Sequence, residues 1–249
     1  MYKARIFLFI LLIFSSIGLF SQSKWNCNLG LGAFINTGNV NNCNIVNDAS
    51  VKRNDSIIAL DFHYKVLYSS LIDKNGNKRQ WEETNFEING GIKMDLFQHD
   101  KYSPFLACEM LTNKYKGYDF KVSGLIGLKL RLFTKPAVYD YSISAAFVYD
   151  CTMFTDNTQL PNNNYRISIR PKIKQKIADN LSLYHQLFYQ PSVLDWDDFI
   201  IYSVTKLQNK ITRKLFIDLS LIYEYRSRIP SENYKYYDVL SEISIRYKI

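Results

Sequence analysis

The stretch Tyr165-Arg166-Ile167-Ser168-Ile169-Arg170-Pro171-Lys172-Ile173-Lys174-Gln175-Lys176-Ile177 decides the fold. One set of alternate positions carries Tyr165, Ile167, Ile169, Ile173 and Ile177. The other carries Arg166, Ser168, Arg170, Lys172, Lys174 and Lys176. A period of two with one apolar face is a strand buried on one side. The same alternation runs through 119–133, where Phe120, Val122, Gly124, Ile126, Leu128, Leu130 and Leu132 oppose Lys121, Ser123, Leu125, Gly127, Lys129 and Arg131. It returns in 199–213, 215–225 and 237–249.

Read outward from there, the chain divides into about twelve such segments. They lie near 25–36, 43–53, 56–70, 80–96, 103–113, 119–133, 139–151, 164–177, 181–191, 199–212, 215–227 and 237–249. They run to roughly 10 to 15 residues, where strands of soluble sheets are nearer 5 or 6. A tilted strand crossing an outer membrane needs about 9 to 11. Short connections at 52–55, 97–101, 134–138, 178–180 and 212–214 alternate with longer polar ones at 36–42, 71–79, 113–118, 152–163, 192–198 and 227–236. Short turns on one rim and long loops on the other are the habit of a bacterial membrane barrel, whose even strand count leaves both termini on the short-turn side.

Alternation alone does not say which face is inside, and a lipocalin-like barrel would invert it. The N-terminus supplies the direction. Lys3 and Arg5 precede an apolar run from Ile6 to Phe14, and Ser15, Ser16 and Gly18 follow. That order reads as a secretory leader, since the run to Phe20 falls short of the roughly 20 residues a spanning helix needs, with a signal anchor as the lesser alternative. The domain division is therefore a cleaved signal peptide at 1–21 and a barrel domain at 22–249. Charges are costly against lipid, so the polar faces are expected to line the lumen. The expected fold class is all-β, a transmembrane antiparallel up-and-down barrel of about twelve strands.

Composition fits this reading. The 249 residues are 47% hydrophobic and 15% aromatic, which argues against disorder. A mean hydropathy of −0.19 excludes a multi-helix membrane protein, while two opposite barrel faces cancel in any average. Loss of Lys3 and Arg5 trims the formal charge of +8 by two, and what remains is spread without a basic stripe. No nucleic-acid partner is expected. Tyr64, Tyr68, Tyr139, Tyr141, Tyr184, Tyr189, Tyr223, Tyr225, Tyr237 and Tyr247 fall near predicted strand ends, as interfacial girdles would. The terminal strand resembles the signal read by the barrel-assembly machinery, with Ile249 in place of the usual aromatic.

Several motifs then point to a family. Gly30-x-Gly32 with Asn36-Thr37-Gly38-Asn39-Val40 resembles the first hairpin of the YdiY-like family, often labelled salt-induced outer-membrane proteins. Tyr118-Asp119-Phe120 through Gly124-x-x-Gly127 resembles its glycine-spaced central strand. Asn180-Leu181-Ser182-Leu183, Trp196-Asp197-Asp198 and Leu219 to Arg226 resemble its C-terminal strands. The resemblance implies an exported barrel of unknown function and brings no catalytic residue, ligand or cofactor.

Chemistry is sought among the histidines and cysteines. His63 sits between Asp61 and Lys65 on the inferred lumen face, and His99 lies in a short turn beside Asp100. His185 lies on the inferred lipid face, where an outer-membrane phospholipase would pair it with a serine two residues on. Here Gln186 and Leu187 follow, so no catalytic residue is expected and the protein is read as a non-enzyme. Cys27, Cys43, Cys108 and Cys151 match no zinc spacing. Two disulfides are allowed, and free thiols on strands are the simpler reading. Asp195, Asp197 and Asp198 around Trp196 could bind Ca²⁺ or basic headgroups at the outer rim, but they lack EF-hand spacing, and a solvated loop is the preferred reading. No metal or cofactor is expected.

The candidate lumen charges are Asp61, His63, Lys65, Glu83, Glu87, Lys129, Arg131, Arg166, Arg170, Lys172 and Lys174. Their bland role is a salt-bridged filling of a narrow barrel. Their sharper role is a weakly anion-preferring pore for small solutes. The sequence supports an outer-membrane barrel with a structural or envelope-stress role, a small-solute pore as the alternative and a lipid-directed enzyme third. The expected partners are outer-membrane lipid and, during biogenesis, the barrel-assembly machinery.

Overall fold

The computed structural model describes residues 25–37, 42–55, 57–71, 85–113, 118–135, 137–154, 162–228 and 236–249. The predicted leader, positions 38 and 39 of the predicted first turn, and Glu83 lie outside these residues. So do the side chains of Cys43, Tyr68 and Glu87.

Each alternating segment forms a strand. They are β1 (Trp25–Thr37), β2 (Asn42–Asn54), β3 (Ile58–Leu71), β4 (Asn85–Leu96), β5 (Tyr102–Asn113) and β6 (Tyr118–Lys135). The second half comprises β7 (Tyr139–Phe154), β8 (Asn162–Lys176), β9 (Leu181–Pro191), β10 (Phe199–Lys210), β11 (Leu215–Arg226) and β12 (Tyr237–Lys248). Sequence neighbours pair antiparallel, and β1 pairs with β12 from Asn28–Lys248 to Thr37–Val239, which closes the barrel. Closure leaves no edge strand, so every strand finds a ladder partner on both sides. No helix occurs among the described residues.

The two faces separate as the alternation requires. Leu31, Ile35, Ile92, Leu106, Ile126, Leu219, Leu221, Ile243 and Ile245 are exposed on the outside. Ser142, Asp150, Arg166, Ser168, Arg170, Asp218, Ser220, Glu242 and Ser244 are buried inside. A soluble barrel would reverse this, because water outside and oil inside is the arrangement the hydrophobic effect favours there. The lumen is not wholly polar. Phe34 and Val46 pack with Leu240 where β1, β2 and β12 meet, and Phe105, Leu125 and Val148 are buried on the other side.

Local departures from regularity have local causes. The β8–β9 ladder pairs Ile169 with Tyr189 and Lys172 with Gln186, skipping Arg170 and Pro171. Pro171 has no N–H to donate there. A register shift between Arg131 and Phe133 of β6 turns both Leu132 and Phe133 outward. On the short-turn rim Phe97 and Ala137 adopt left-handed backbone, with φ of 50° and 62°. Gly127 is needed for close approach. A Cβ there would lie 2.4 Å from the Ala145 carbonyl and 2.6 Å from the Phe105 ring.

The tyrosines follow the girdle expectation in part: Tyr64 falls midway along β3, away from either rim, and the Tyr68 side chain lies outside the described residues. Tyr139 and Tyr141 pack with tilted rings on the outer face at the short-turn rim, with ring centres 5.5 Å apart. Tyr149 and Tyr165 do so toward the long-loop rim at 5.3 Å. Tyr184 instead points into the lumen, where its hydroxyl bonds Gln186. Its position in β9 shares parity with Phe188 and Gln190, and that parity overrides nearness to a strand end. Cys27, Cys108 and Cys151 are free thiols.

Candidate functional site: the charged lumen

Strand parity places the functional side chains. Even positions of β7 to β12 and odd positions of β3 to β6 point inward, so acids and bases from different strands share one narrow space. Near the short-turn rim, Lys52 bonds Asp61 at 2.5 Å, and Asp95 receives Lys93 at 2.9 Å and Lys129 at 3.4 Å. Asp140 takes Lys172 at 3.1 Å and Arg131 at 3.6 Å. Asp218, wholly buried, holds Arg246 at 2.7 Å, lies 3.7 Å from Lys206 and accepts a bond from Gln208 at 2.9 Å. Lys65 reaches past β2 and β1 to Glu242 on β12 at 2.7 Å. At the turn after β8, Lys176 bonds Asp179 and holds that exposed carboxyl below its ordinary pKa.

Toward the long-loop rim, Arg166 is the hub. Its guanidinium donates to the carbonyls of Gln190 and Asp198 at 3.1 Å each and to Asp198 Oδ2 at 2.8 Å. Asp150 lies 3.7 Å away and also takes Lys121 at 3.1 Å. Asn164 donates to Asp198 and accepts from the Ser192 hydroxyl. Loop 192–198 is thereby folded onto β8. The acidic cluster is thus not simply solvated: Asp198 is bound by Arg166, while Asp195 pairs with Arg228 and caps the Asp197 amide.

Between these layers lies a cavity of about 360 Å³. Its wall includes His63, Asn89, Glu109, Lys121, Arg170, Phe188 and Tyr202. Arg170 sits 5.1 Å from the Phe188 ring centre and 5.9 Å from that of Phe105, and its Nε donates to Ser168 at 2.7 Å. An arginine between two aromatic faces is held by cation–π attraction and packing.

The sequence-predicted lumen residues can now be placed. Asp61, His63, Lys65, Lys129, Arg131, Arg166, Arg170, Lys172 and Lys174 occupy inward-facing positions, while Glu83 and the Glu87 side chain lie outside the described residues. The acids that organise them, Asp95, Asp140 and Asp150, did not stand out in sequence. Strand parity is the signal that finds them. On the outer face His185 Nδ1 meets Thr205 Oγ1 at 2.9 Å, a hydroxyl from β10 that a search along β9 could not supply. No group of three or more His, Cys, Asp or Glu able to hold a metal ion occurs among the described residues.

Closed antiparallel closure, an apolar exterior and a charged lumen define an outer-membrane-type β-barrel. The chain belongs to the DUF481 family, described as proteins of unknown function, whose model matches residues 29–249. That match carries the family and not the YdiY-like or salt-induced label. No curated protein matches the sequence. Among solved structures, the chain is similar to the NanC porin, with a TM-score of 0.59 and 8% identity over 89% of this chain and 100% of that one. A bacterial polysaccharide outer-membrane secretin aligns with a TM-score of 0.50 and 8% identity over 90% of this chain and 98% of that one. At such identities the likeness concerns the fold.

Proposed function

We propose that this protein is an outer-membrane channel for small polar solutes, weakly preferring anions. The observation that carries it is the lumen itself, a charged wall around a cavity of about 360 Å³ in place of close-packed apolar filling. Rings of charged side chains set ion preference in wide pores. The inward face of β8, with Arg166, Arg170, Lys172, Lys174 and Lys176, carries no acid. The NanC porin shares the fold, which supports the same reading. Export would follow from the leader at 1–21, insertion from the barrel-assembly machinery acting on the last strand, and the apolar belt would face lipid. A purely structural or envelope-stress role would need no cavity.

The protein is read as non-catalytic. The His185–Thr205 pair is the strongest candidate for lipid chemistry, yet its flanking register partners, Ile173 and Leu221, are apolar. A general base needs a third group to orient it.

Planar-bilayer recording tests the channel. Reproducible single-channel steps are expected, with a reversal potential displaced toward the anion potential in a salt gradient. Lys174 forms no ion pair among the described residues, so Lys174→Glu should move that potential toward cations. Silent bilayers from folded protein would refute the proposal.

A further inference from the structure

Two opposite charges share the lumen cavity without meeting. Arg170 is only 8% exposed and is fixed by Ser168, Phe105 and Phe188. Among the described residues no carboxylate lies within ion-pair distance of it. Glu109, from β5, lines the same cavity and attracts Arg170 electrostatically, and it too forms no ion pair among those residues. Of the other basic groups on the wall, Lys121 pairs with Asp150 and Arg226 with Glu224, while the His63 ring lies over Gly91, the register partner of Glu109.

The aromatic clamp explains the gap. It prevents Arg170 from swinging to Glu109, so the guanidinium fork stays pre-organised and aimed into the cavity. An anion alone would satisfy Arg170 while being repelled by Glu109. A cation alone would suffer the reverse. A molecule with both charges, set in the opposite order, satisfies the two residues together.

Resting on the channel reading, we propose that this cavity binds small zwitterionic solutes of the amino-acid class, with the carboxylate on Arg170 and the ammonium on Glu109. Arginine accepts a carboxylate through two parallel hydrogen bonds. Phe188, Tyr202 and Ile200 line the remainder and offer a wall for a short side chain. The volume is at the low end of ligand pockets, which run from about 300 to 1,000 Å³. It suits a single small solute.

Calorimetry on the detergent-solubilised barrel, with L-alanine, propionate and ethylamine as probes, tests the site. The last two are alanine without its ammonium and without its carboxylate. Alanine should bind, and each truncated probe should bind at least about tenfold more weakly. Arg170→Gln and Glu109→Gln should each weaken alanine by about tenfold, and Glu109→Gln should narrow the gap between alanine and propionate. Both variants are first checked for the folded band on unheated gels. Glu109 faces open lumen, so its variant should keep the fold even if Arg170→Gln does not. Equal binding of alanine and propionate, or alanine binding untouched by Glu109→Gln, would overturn the proposal. Block of channel current by alanine separates the two readings. Currents without alanine binding remove the site and leave the channel, whereas binding in silent bilayers removes the channel and leaves the site.

Discussion

Asp218 shows how much of this molecule rests on single buried charges. It has no exposed surface and holds Arg246, Lys206 and Gln208 from both neighbouring strands. Removing one partner of a buried pair is costlier than removing both, because the survivors stay desolvated and unpaired. Asp218→Ala is expected to destabilise the barrel by about 2–3 kcal/mol, below the fully buried case because Arg246 and Lys206 are partly exposed. The measurement is the temperature at which the folded gel band converts to the unfolded one. An unchanged temperature would mean that lumen water replaces the carboxylate without loss. Parity along 215–225 is enough to put Asp218 on the polar face of its strand. It could not say that two cations from different strands converge there.

At the scale of elements, β8 does two things with one alternating pattern. Its outer residues meet the apolar exterior and its inner residues form a basic ladder, and both were legible from 165–177 alone. What β8 anchors was not legible. Arg166 gathers loop 192–198 through Asp198, more than thirty residues away in the chain. Local periodicity carries no information about that meeting. Arg166→Ala should free this loop, so limited proteolysis of the vesicle-embedded barrel should cut there at least about tenfold faster. Cleavage at the wild-type rate would show that the backbone bonds from Ser192 to Asp198 and from Val193 to Tyr165 hold the loop unaided.

For the whole molecule, closure is the event that matters, and it happens at the β1–β12 seam. Gly32 faces the lumen there, and a Cβ would lie 2.6 Å from that of Ser244 and 2.7 Å from the Ile243 carbonyl. Gly124, on the outward face of β6, has nothing within 4 Å of the corresponding position. Gly32→Val should therefore cost about 1–3 kcal/mol by overpacking against backbone, while Gly124→Val should be tolerated. Unheated protein should migrate apart from boiled protein, and Gly32→Val should lower the conversion temperature. Equal behaviour of the two glycine variants would place the seam elsewhere than the structure does.

The sequence by itself determined the number of strands, the partition of each into two faces, and the alternation of short and long connections. These properties depend on residues adjacent in the chain, where a period of two speaks directly. The tertiary structure decided which charges meet. Lys65 finds Glu242 because closure sets β12 beside β1, and Asp150 is shared by Lys121 and Arg166 because register aligns it with both neighbouring strands. It also decided which charges stay apart. Arg170 and Glu109 share a cavity yet remain separate because Phe105 and Phe188, from two further positions in the chain, hold the guanidinium in place.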